Sequence, residues 1–532
     1  MLPRSYYTEQ DIRKRQIDTL KIFNDNVTEI VENTEYKVDF SANGHNLNLT
    51  VILNSEFPNE KPNIFVSPVF PHPWLAENSN QVIGAPGLVN YSPHSDLGRV
   101  VQVIIREFQR SAPNIYGHED KSTDTSPMSH YSNQSLMFPE LNELSIDELQ
   151  EIIENPDLQQ VVILSRHNIR SPLASFLKKF SPHPWPEWNI SVGYLTEKGA
   201  TMEEDMGEYM STWLCTELFK DSCPEESSLQ IFSNSTQRTY ESSKAFIRGT
   251  FKNCNKVLRV GSEEMASLFE TVVRNDSKVM KDLVLNEMNT KIMELDTKES
   301  YNLLEDILDM KNAEVCKIEG ICNFDKEDSE ITYEFGNLLN VEGSLLWANL
   351  IVDSFLMSYY DGFQIENVAW GMIKDSGQWR TLTRLMIQYQ HVVFNSKLVG
   401  RQVSKPLLSY ISSKFTAETE KKFISLHAHD ANLYFVLAAL EVEEFVLPEQ
   451  YERTPIGGKL VFQRWHDATQ GRDLFKLNFV YLTVDQIRDG SKLSASNPPR
   501  WVQLFFKDCP VDSDGFCSWE DFVNVLNDAA SF

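Results

Sequence analysis

Residues 114 to 136, which include the run HEDKSTDTSPMSHYSNQS, carry too few apolar side chains to offset the entropy of ordering them. That polar stretch reads as a linker. It excludes one continuous core through 532 residues, a length already beyond a single ordinary domain. Residues 1–113 and the chain beyond 136 must therefore be read separately.

In the first part, residues 11 to 23 predict a helix with Ile17, Leu20 and Phe23 on one side. YKVDFSANGHNLNLTVIL then alternates Tyr36, Val38 and Phe40, breaks at Asn43-Gly44, and resumes with Leu47, Leu49, Val51 and Leu53. This is the pattern of a half-buried hairpin with a two-residue turn. Ile64 to Val66 supply a third strand, and Leu97, Val100, Val101, Ile104, Ile105 and Phe108 fall at helical spacing. The expectation for 1–113 is a small α+β domain. After the linker, Ser145 and Glu148 fit a capping box and Leu144 with Leu149 a hydrophobic staple, so a helix belongs within 137–156 and ends at Pro156.

From residue 157 strands alternate with long helices, the signature of an α/β domain extending to 532. Its first strand, VVILSRHNIRSP, carries the most pointed chemistry in the chain: Arg166, His167, Arg170 and Pro172 directly after four apolar residues. A second apolar strand, FISLHAHDANL, ends in His427, His429 and Asp430, and SNSTQRTYES places Arg238 at the start of a helix. Strands of an open α/β sheet deliver functional groups at their carboxyl ends, and two strands of the same layout are expected side by side. Three arginines suit a dianionic phosphoryl group, because guanidinium forks match phosphate oxygens. Their repulsion keeps a nearby imidazole neutral, so His167 is the candidate nucleophile. Asp430 is the candidate proton donor to a departing alkoxide, on the condition that a raised pKa keeps it protonated.

The balance of 49 basic and 76 acidic residues leaves a net charge of −27, which argues against nucleic acid or anionic membranes as partners. MLPRSYYTEQDIRKRQ lacks the apolar centre of a secretory leader, and no run of eighteen apolar residues occurs. These features predict a cytoplasmic chain without a membrane span. The cysteines pull the other way. All seven follow position 214, and CKIEGIC and CPVDSDGFC each bring two together over a short turn, as disulfide loops do; seven reduced thiols is the alternative. Cys215 is the candidate free thiol.

Other motifs carry less. His427, His429 and Asp430 have the residue types of a zinc or iron site, but no third ligand group is evident and the arginines would repel a cation; no metal or cofactor is expected. Asp512 to Gly515 reads as a turn closed by flanking cysteines rather than a calcium loop. Gly457-Gly458 reads as a tight turn into a strand, not a nucleotide site. The sequons at Asn189, Asn234 and Asn275 matter only in a eukaryotic secretory pathway. Trp185 and Trp188 either wall the pocket or pack.

Residues 157 to 528, through QQVVILSRHNIRSPLA, WPEW, NVAWG, ERTPIGGKLVFQRWHD and CPVDSDGFC, resemble the histidine acid phosphatase family, and within it the bacterial glucose-1-phosphatase and phytase branch. The resemblance implies a phosphoglycerate-mutase-like α/β fold with a helical lobe at roughly 265–390. It also implies metal-independent hydrolysis of phosphate monoesters, sugar phosphates such as glucose-1-phosphate or phytate, through phosphorylated His167. Arg166, Arg170, Arg238 and His429 would hold the phosphate and Asp430 donate the proton. Implied disulfides join Cys223 to Cys254, Cys316 to Cys322 and Cys509 to Cys517, in a periplasmic or secretory setting. Asn168 stands where the family commonly has Gly, a change the glucose-1-phosphatase branch also tolerates, and the position of the acidic residue with which that branch orients its sugar falls near the apolar Leu338.

The first part resembles something unrelated. FPNEKPNIFVSP and LVNYSPHSDLG look like a ubiquitin-conjugating-enzyme-variant domain, and FPELNELSIDELQEI resembles a truncated start of the Mod(r) region of an ESCRT-I subunit. Lacking any cysteine before Cys215, such a domain cannot carry ubiquitin as a thioester, and ESCRT-I subunits are its implied partners. Two other arrangements fit the same residues: an endosomal sorting adaptor with an idle phosphatase domain, and two adjacent genes merged into one reading frame.

Overall fold

A computed structural model describes residues 13–111 and 156–531, apart from breaks at 14–15, 18–19, 22–23, 25, 43–44, 71, 73, 77–78, 86–87, 89–90, 92–96, 175, 255–259, 262–264, 417–420 and 513. The expected linker and the helix expected after Ser145 lie outside the described residues, as does Phe23. Two compact units divide the chain, Met1–Leu141 and Asn142–Phe532.

The first unit builds an antiparallel sheet in chain order from β1 (Val27–Val31), β2 (Glu35–Ala42), β3 (His45–Ile52), β4 (Asn63–Ser67) and β5 (Gln81–Val82). The alternation read from the sequence places Tyr36, Val38, Leu47, Leu49 and Val51 in the core. Ala42 pairs with His45, so two residues join β2 to β3 as expected. Helix α1 (Leu97–Ser111) adds Leu97, Val101, Ile104 and Phe108 to the same core. Strands β1 and β5 were not anticipated. β1 is an edge strand whose Ile30 and Val31 stay exposed, so no apolar period marks it, and β5 is only two residues long.

The second unit centres on a mixed sheet. Its strands are β6 (Asp157–Arg166), β7 (Leu229–Ser233), β10 (Phe423–Ala428), β11 (Lys459–Asp467), β12 (Arg472–Tyr481), β13 (Arg500–Leu504) and β14 (Cys517–Ser518), while β8 (Glu330–Thr332) and β9 (Asn340–Glu342) form a separate ribbon. The order is β13-β12-β11-β6-β10-β7, with β14 against β12. Only β6, β10 and β7 run parallel to one another. Their apolar runs are continuous because both faces are covered. Val161 and Ile163 of β6 enter one core and Val162 and Leu164 the other.

Helices α2 (Glu197–Glu217) and α3 (Gln237–Thr250) cover the first face. They cross at Gly207 and Gly249, where an added Cβ would lie 2.1 Å from the Phe246 carbonyl oxygen and 2.0 Å from that of Glu204. Between α3 and β10 the chain makes a helical lobe with α4 (Lys278–Glu294), α5 (Lys298–Leu308), α6 (Ser344–Asp361) and α7 (Ser376–Phe394). Helices α8 (Lys397–Thr416), α9 (Asp430–Ala439) and α10 (Trp519–Ser531) cover the opposite face. Disulfides join Cys223–Cys254, Cys316–Cys322 and Cys509–Cys517, and Cys215 is free, all as expected. Among the described residues no helix is long and apolar enough to cross a membrane.

Candidate active site

Three neighbouring parallel strands end at one place. Ala428 of β10 sits in register with Arg166 of β6, and His427 with Ser233 of β7. Just past these ends the chain is tied together by His167 N–H donating to the Ala428 carbonyl at 3.1 Å and Asn234 N–H to that of His427 at 2.9 Å. The side-by-side arrangement expected of β6 and β10 is therefore present. β7 then leads into α3, which carries Arg238 in its first turn.

His167 is 2% exposed and its Nδ1 lies 2.8 Å from the carbonyl oxygen of Asn168. A carbonyl only accepts, so Nδ1 carries the proton. Burial, followed by the charges of Arg238, Arg166, His429 and Arg170, holds the ring well below the usual histidine range. The ring is neutral and its Nε2 keeps a lone pair.

Each of the first two arginines is anchored by a buried acid. Arg166 donates from one guanidinium nitrogen to Glu452 and to the Thr454 carbonyl, both at 2.6 Å. Arg170 grips Asp353 of the helical lobe with two bonds of 2.9 Å. Arg238 has no carboxylate in contact among the described residues; it approaches the Gly193 carbonyl at 3.4 Å and His429 Nδ1 at 3.3 Å, and burial brings it down to about 10. The Nε–H groups of all three are buried and without a hydrogen-bond partner. Unsatisfied buried donors are costly, and three on one cluster suit an anion with several acceptor oxygens.

His429 stands edge-on to His167 with ring centroids 5.5 Å apart. Its Nδ1 accepts from Arg238, and its Nε2 faces Asn234 Oδ1 at 3.3 Å, an oxygen that also accepts from Thr236 N–H. Nε2 is thus the protonated nitrogen, and burial and the arginines bring the ring down to about 3. Asp430 caps the group, with its carboxylate 3.9 Å from Arg166 and 3.3 Å from the Gln390 amide. Burial pushes this carboxyl up, yet Arg166, His429, Arg170 and the Ala431 N–H together hold it below the ordinary carboxylate range. That corrects the raised pKa required of it from sequence: the protein's own charges favour the ionised form.

All six residues singled out converge. The sequence reading missed their supports. Glu452 lies within a stretch read only for resemblance, although Asp353 had a signal, as a lone acid in the apolar run WANLIVDSFLMSYY. His427 turns to Ser425 Oγ at 2.8 Å, so it and His429 spend ring nitrogens on separate protein partners rather than as a ligand pair. Trp185 stacks on Phe355 and Trp188 packs on Phe363, which favours the packing reading. Asp512 Oδ1 accepts from the Asp514 and Phe516 amides, a closed turn beside Cys509–Cys517. Leu338 is 42% exposed and bridges to Val272.

Residues 157–482 match the family model described as the histidine phosphatase superfamily (branch 2). A glucose-1-phosphatase of Providencia rettgeri is 36% identical over 379 residues, covering 69% of this chain and 91% of its own. The solved phytase of Citrobacter braakii superposes with a TM-score of 0.64 at 25% identity, over 70% of this chain and 98% of its own. Human vacuolar protein sorting-associated protein 37A is 32% identical over 130 residues, 24% of this chain and 31% of its own.

Proposed function

Since this chain belongs to the histidine phosphatase superfamily, branch 2, and is a phosphoric monoester hydrolase of the acid phosphatase type, we propose that it acts through a phosphohistidine at His167. Arg166, Arg170, Arg238 and His429 bind the phosphoryl oxygens. His167 Nε2 attacks phosphorus, the bond from phosphorus to the ester oxygen breaks, and Asp430 supplies a proton to the departing alkoxide. A bound dianion offsets the arginines that otherwise keep Asp430 ionised, so its proton arrives with the substrate. Water then attacks the phosphohistidine, Asp430 takes its proton, and inorganic phosphate leaves.

The observation that carries this reading is the Nδ1–H bond from His167 to the Asn168 carbonyl, which dedicates the other ring nitrogen to attack. The test is phosphate release from a panel of sugar phosphates, phytate and a nitrophenyl ester, at acid and neutral pH, with His167→Ala alongside. Turnover that survives a chelator and vanishes in the variant supports the mechanism, and unimpaired turnover in the variant overturns it.

Sugar monophosphates are the proposed substrates, with phytate second because a net charge of −27 disfavours a polyanion. Leu338 offers a sugar hydroxyl no side-chain hydrogen bond, so the preference extends beyond glucose-1-phosphate.

For residues 1–113 the proposal is a ubiquitin-conjugating-enzyme-variant-like domain, and for 137–156 a truncated Mod(r)-like helix, in an adaptor role towards ESCRT-I subunits. Its support is the 130-residue likeness to the human sorting protein and the antiparallel sheet with α1. Pull-down of ESCRT-I subunits by the full 61.2 kDa chain tests it, and failure to retain them contradicts it.

A further inference from the structure

We infer that Glu203 and Lys459 are positioning residues that act through Asn168 to fix the tautomer and placement of His167. The inference rests on His167 being the nucleophile.

Glu203 of α2 and Lys459 of β11 form an ion pair of 2.9 Å with both side chains fully buried. Such a pair rarely out-stabilises apolar side chains of equal volume, because desolvation consumes the Coulomb gain. Its hydrogen bonds indicate another use. Lys459 spends its three donors on Glu203 Oε2, on Ser165 Oγ at 2.8 Å and on the Gly457 carbonyl at 3.2 Å. It thereby ties together the end of β6 and the turn before β11, the two segments that flank His167. Gly457 N–H in turn donates to the His167 carbonyl at 2.9 Å.

The other oxygen of Glu203 accepts from Asn168 Nδ2 at 3.1 Å. Asn168 Oδ1 accepts from the Ile169 N–H at 2.8 Å, and its own N–H donates to Ser242 Oγ at 3.1 Å. With side chain and amide both fixed, the Asn168 carbonyl is held where His167 Nδ1–H reaches it. There is no slack beside this chain of bonds: a Cβ on Gly457, whose φ is +63°, would lie 2.5 Å from Asn168 Nδ2 and 2.9 Å from Glu203 Oε1. Asn168 is thus the residue joining the ion pair to the reactive ring.

The experiment is a mutant cycle on the full chain: E203Q/K459M, N168G and the triple variant, each read for kcat and KM on one sugar phosphate. E203Q/K459M removes both charges and, with the ammonium, the three bonds that fix Glu203, Ser165 and the turn before β11. The expected result is a fall in kcat of about tenfold or more with KM changed by less than about twofold, since a small misplacement of a reacting atom costs rate rather than affinity. In the N168G background the same two changes should cost several-fold less, the non-additivity of residues acting in series, with only the share that Lys459 carries to His167 through Gly457 remaining. An unchanged kcat in E203Q/K459M, or a cost carried in full into N168G, overturns the inference. If the double variant does not fold, the ring ¹⁵N shifts of His167 decide: a single Nδ1–H tautomer in the parent and a mixture in N168G are expected, and identical spectra refute it. His167→Ala separates the two levels. Turnover in that variant removes the nucleophile itself, whereas an inactive His167→Ala beside fully active pair variants removes only the positioning role.

Discussion

His167 and His429 sit 5.5 Å apart, follow adjacent parallel strands and are both held neutral by burial and the same arginines. They differ in what their nitrogens touch. His167 gives one nitrogen to a backbone carbonyl and keeps the other, whereas His429 has Arg238 on one side and Asn234 on the other. Neutrality alone therefore does not make a nucleophile; the hydrogen-bond partner of the distal nitrogen does.

The widest separation between the two should come from removing each in turn. His167→Ala is expected to lower kcat by about 10⁴-fold or more, the usual consequence of deleting a covalent nucleophile. His429→Asn, which removes the imidazole packed between Arg238 and His167 at the proposed phosphate site, should cost about 10²-fold. Equal losses in steady-state assays would erase the distinction.

Asp430→Asn should lower turnover of a sugar phosphate by about 10²-fold or more but that of a nitrophenyl ester by about tenfold or less, because the better leaving group needs no proton. A common loss on both substrates would deny Asp430 the acid role.

The shared neutrality has its own signature in pH. The folded pKa values of His167, His427 and His429 lie below the unfolded value of about 6.5, so the unfolded chain binds more protons as the solution is acidified. Their contribution to stability is present above about pH 6.5 and is lost as pH falls towards the folded values, about 3 for His429. Asp430, also depressed, adds a loss of the same sign below about pH 4. Urea midpoints of the phosphatase unit should fall between pH 7 and pH 4, and less steeply in His429→Asn. The acid limb of kcat/KM should meanwhile lie well below pH 6.5, since His167 stays neutral there.

The smallest effect expected on turnover comes from the frame, whose contribution is to stability. Replacing Cys223 and Cys254 by serine, which opens a 31-residue separation, should cost about 3.5 kcal/mol, against about 2 kcal/mol for either short loop. Denaturant titration of each pair checks the ranking.

Much of this site was legible because its parts are local. Arg166, His167 and Arg170 follow one apolar strand and His429 and Asp430 another, and strand adjacency follows from their common layout. The supports were not, because they arrive from far along the chain: Asp353 is 183 residues from Arg170 and Glu452 is 286 from Arg166. Glu203 stands among other acids in MEED and gives no local cue, although a lysine opening the apolar strand KLVF could have raised the question. The direction of the Asp430 shift depended on weighing burial against the neighbouring arginines, which spacing cannot do. In the first unit the periodic strands and α1 were readable, while β1 is an edge strand with exposed Ile30 and Val31 and β5 is too short to show a period.

The most direct measurement is acid–base mapping of the label left by a ³²P-phosphate monoester after rapid quench. A phosphoramidate on His167, stable to alkali, labile to acid and attached through Nε2, is the predicted product. Label on Nδ1, on another residue, or none during rapid turnover would contradict the division of labour between the two histidines.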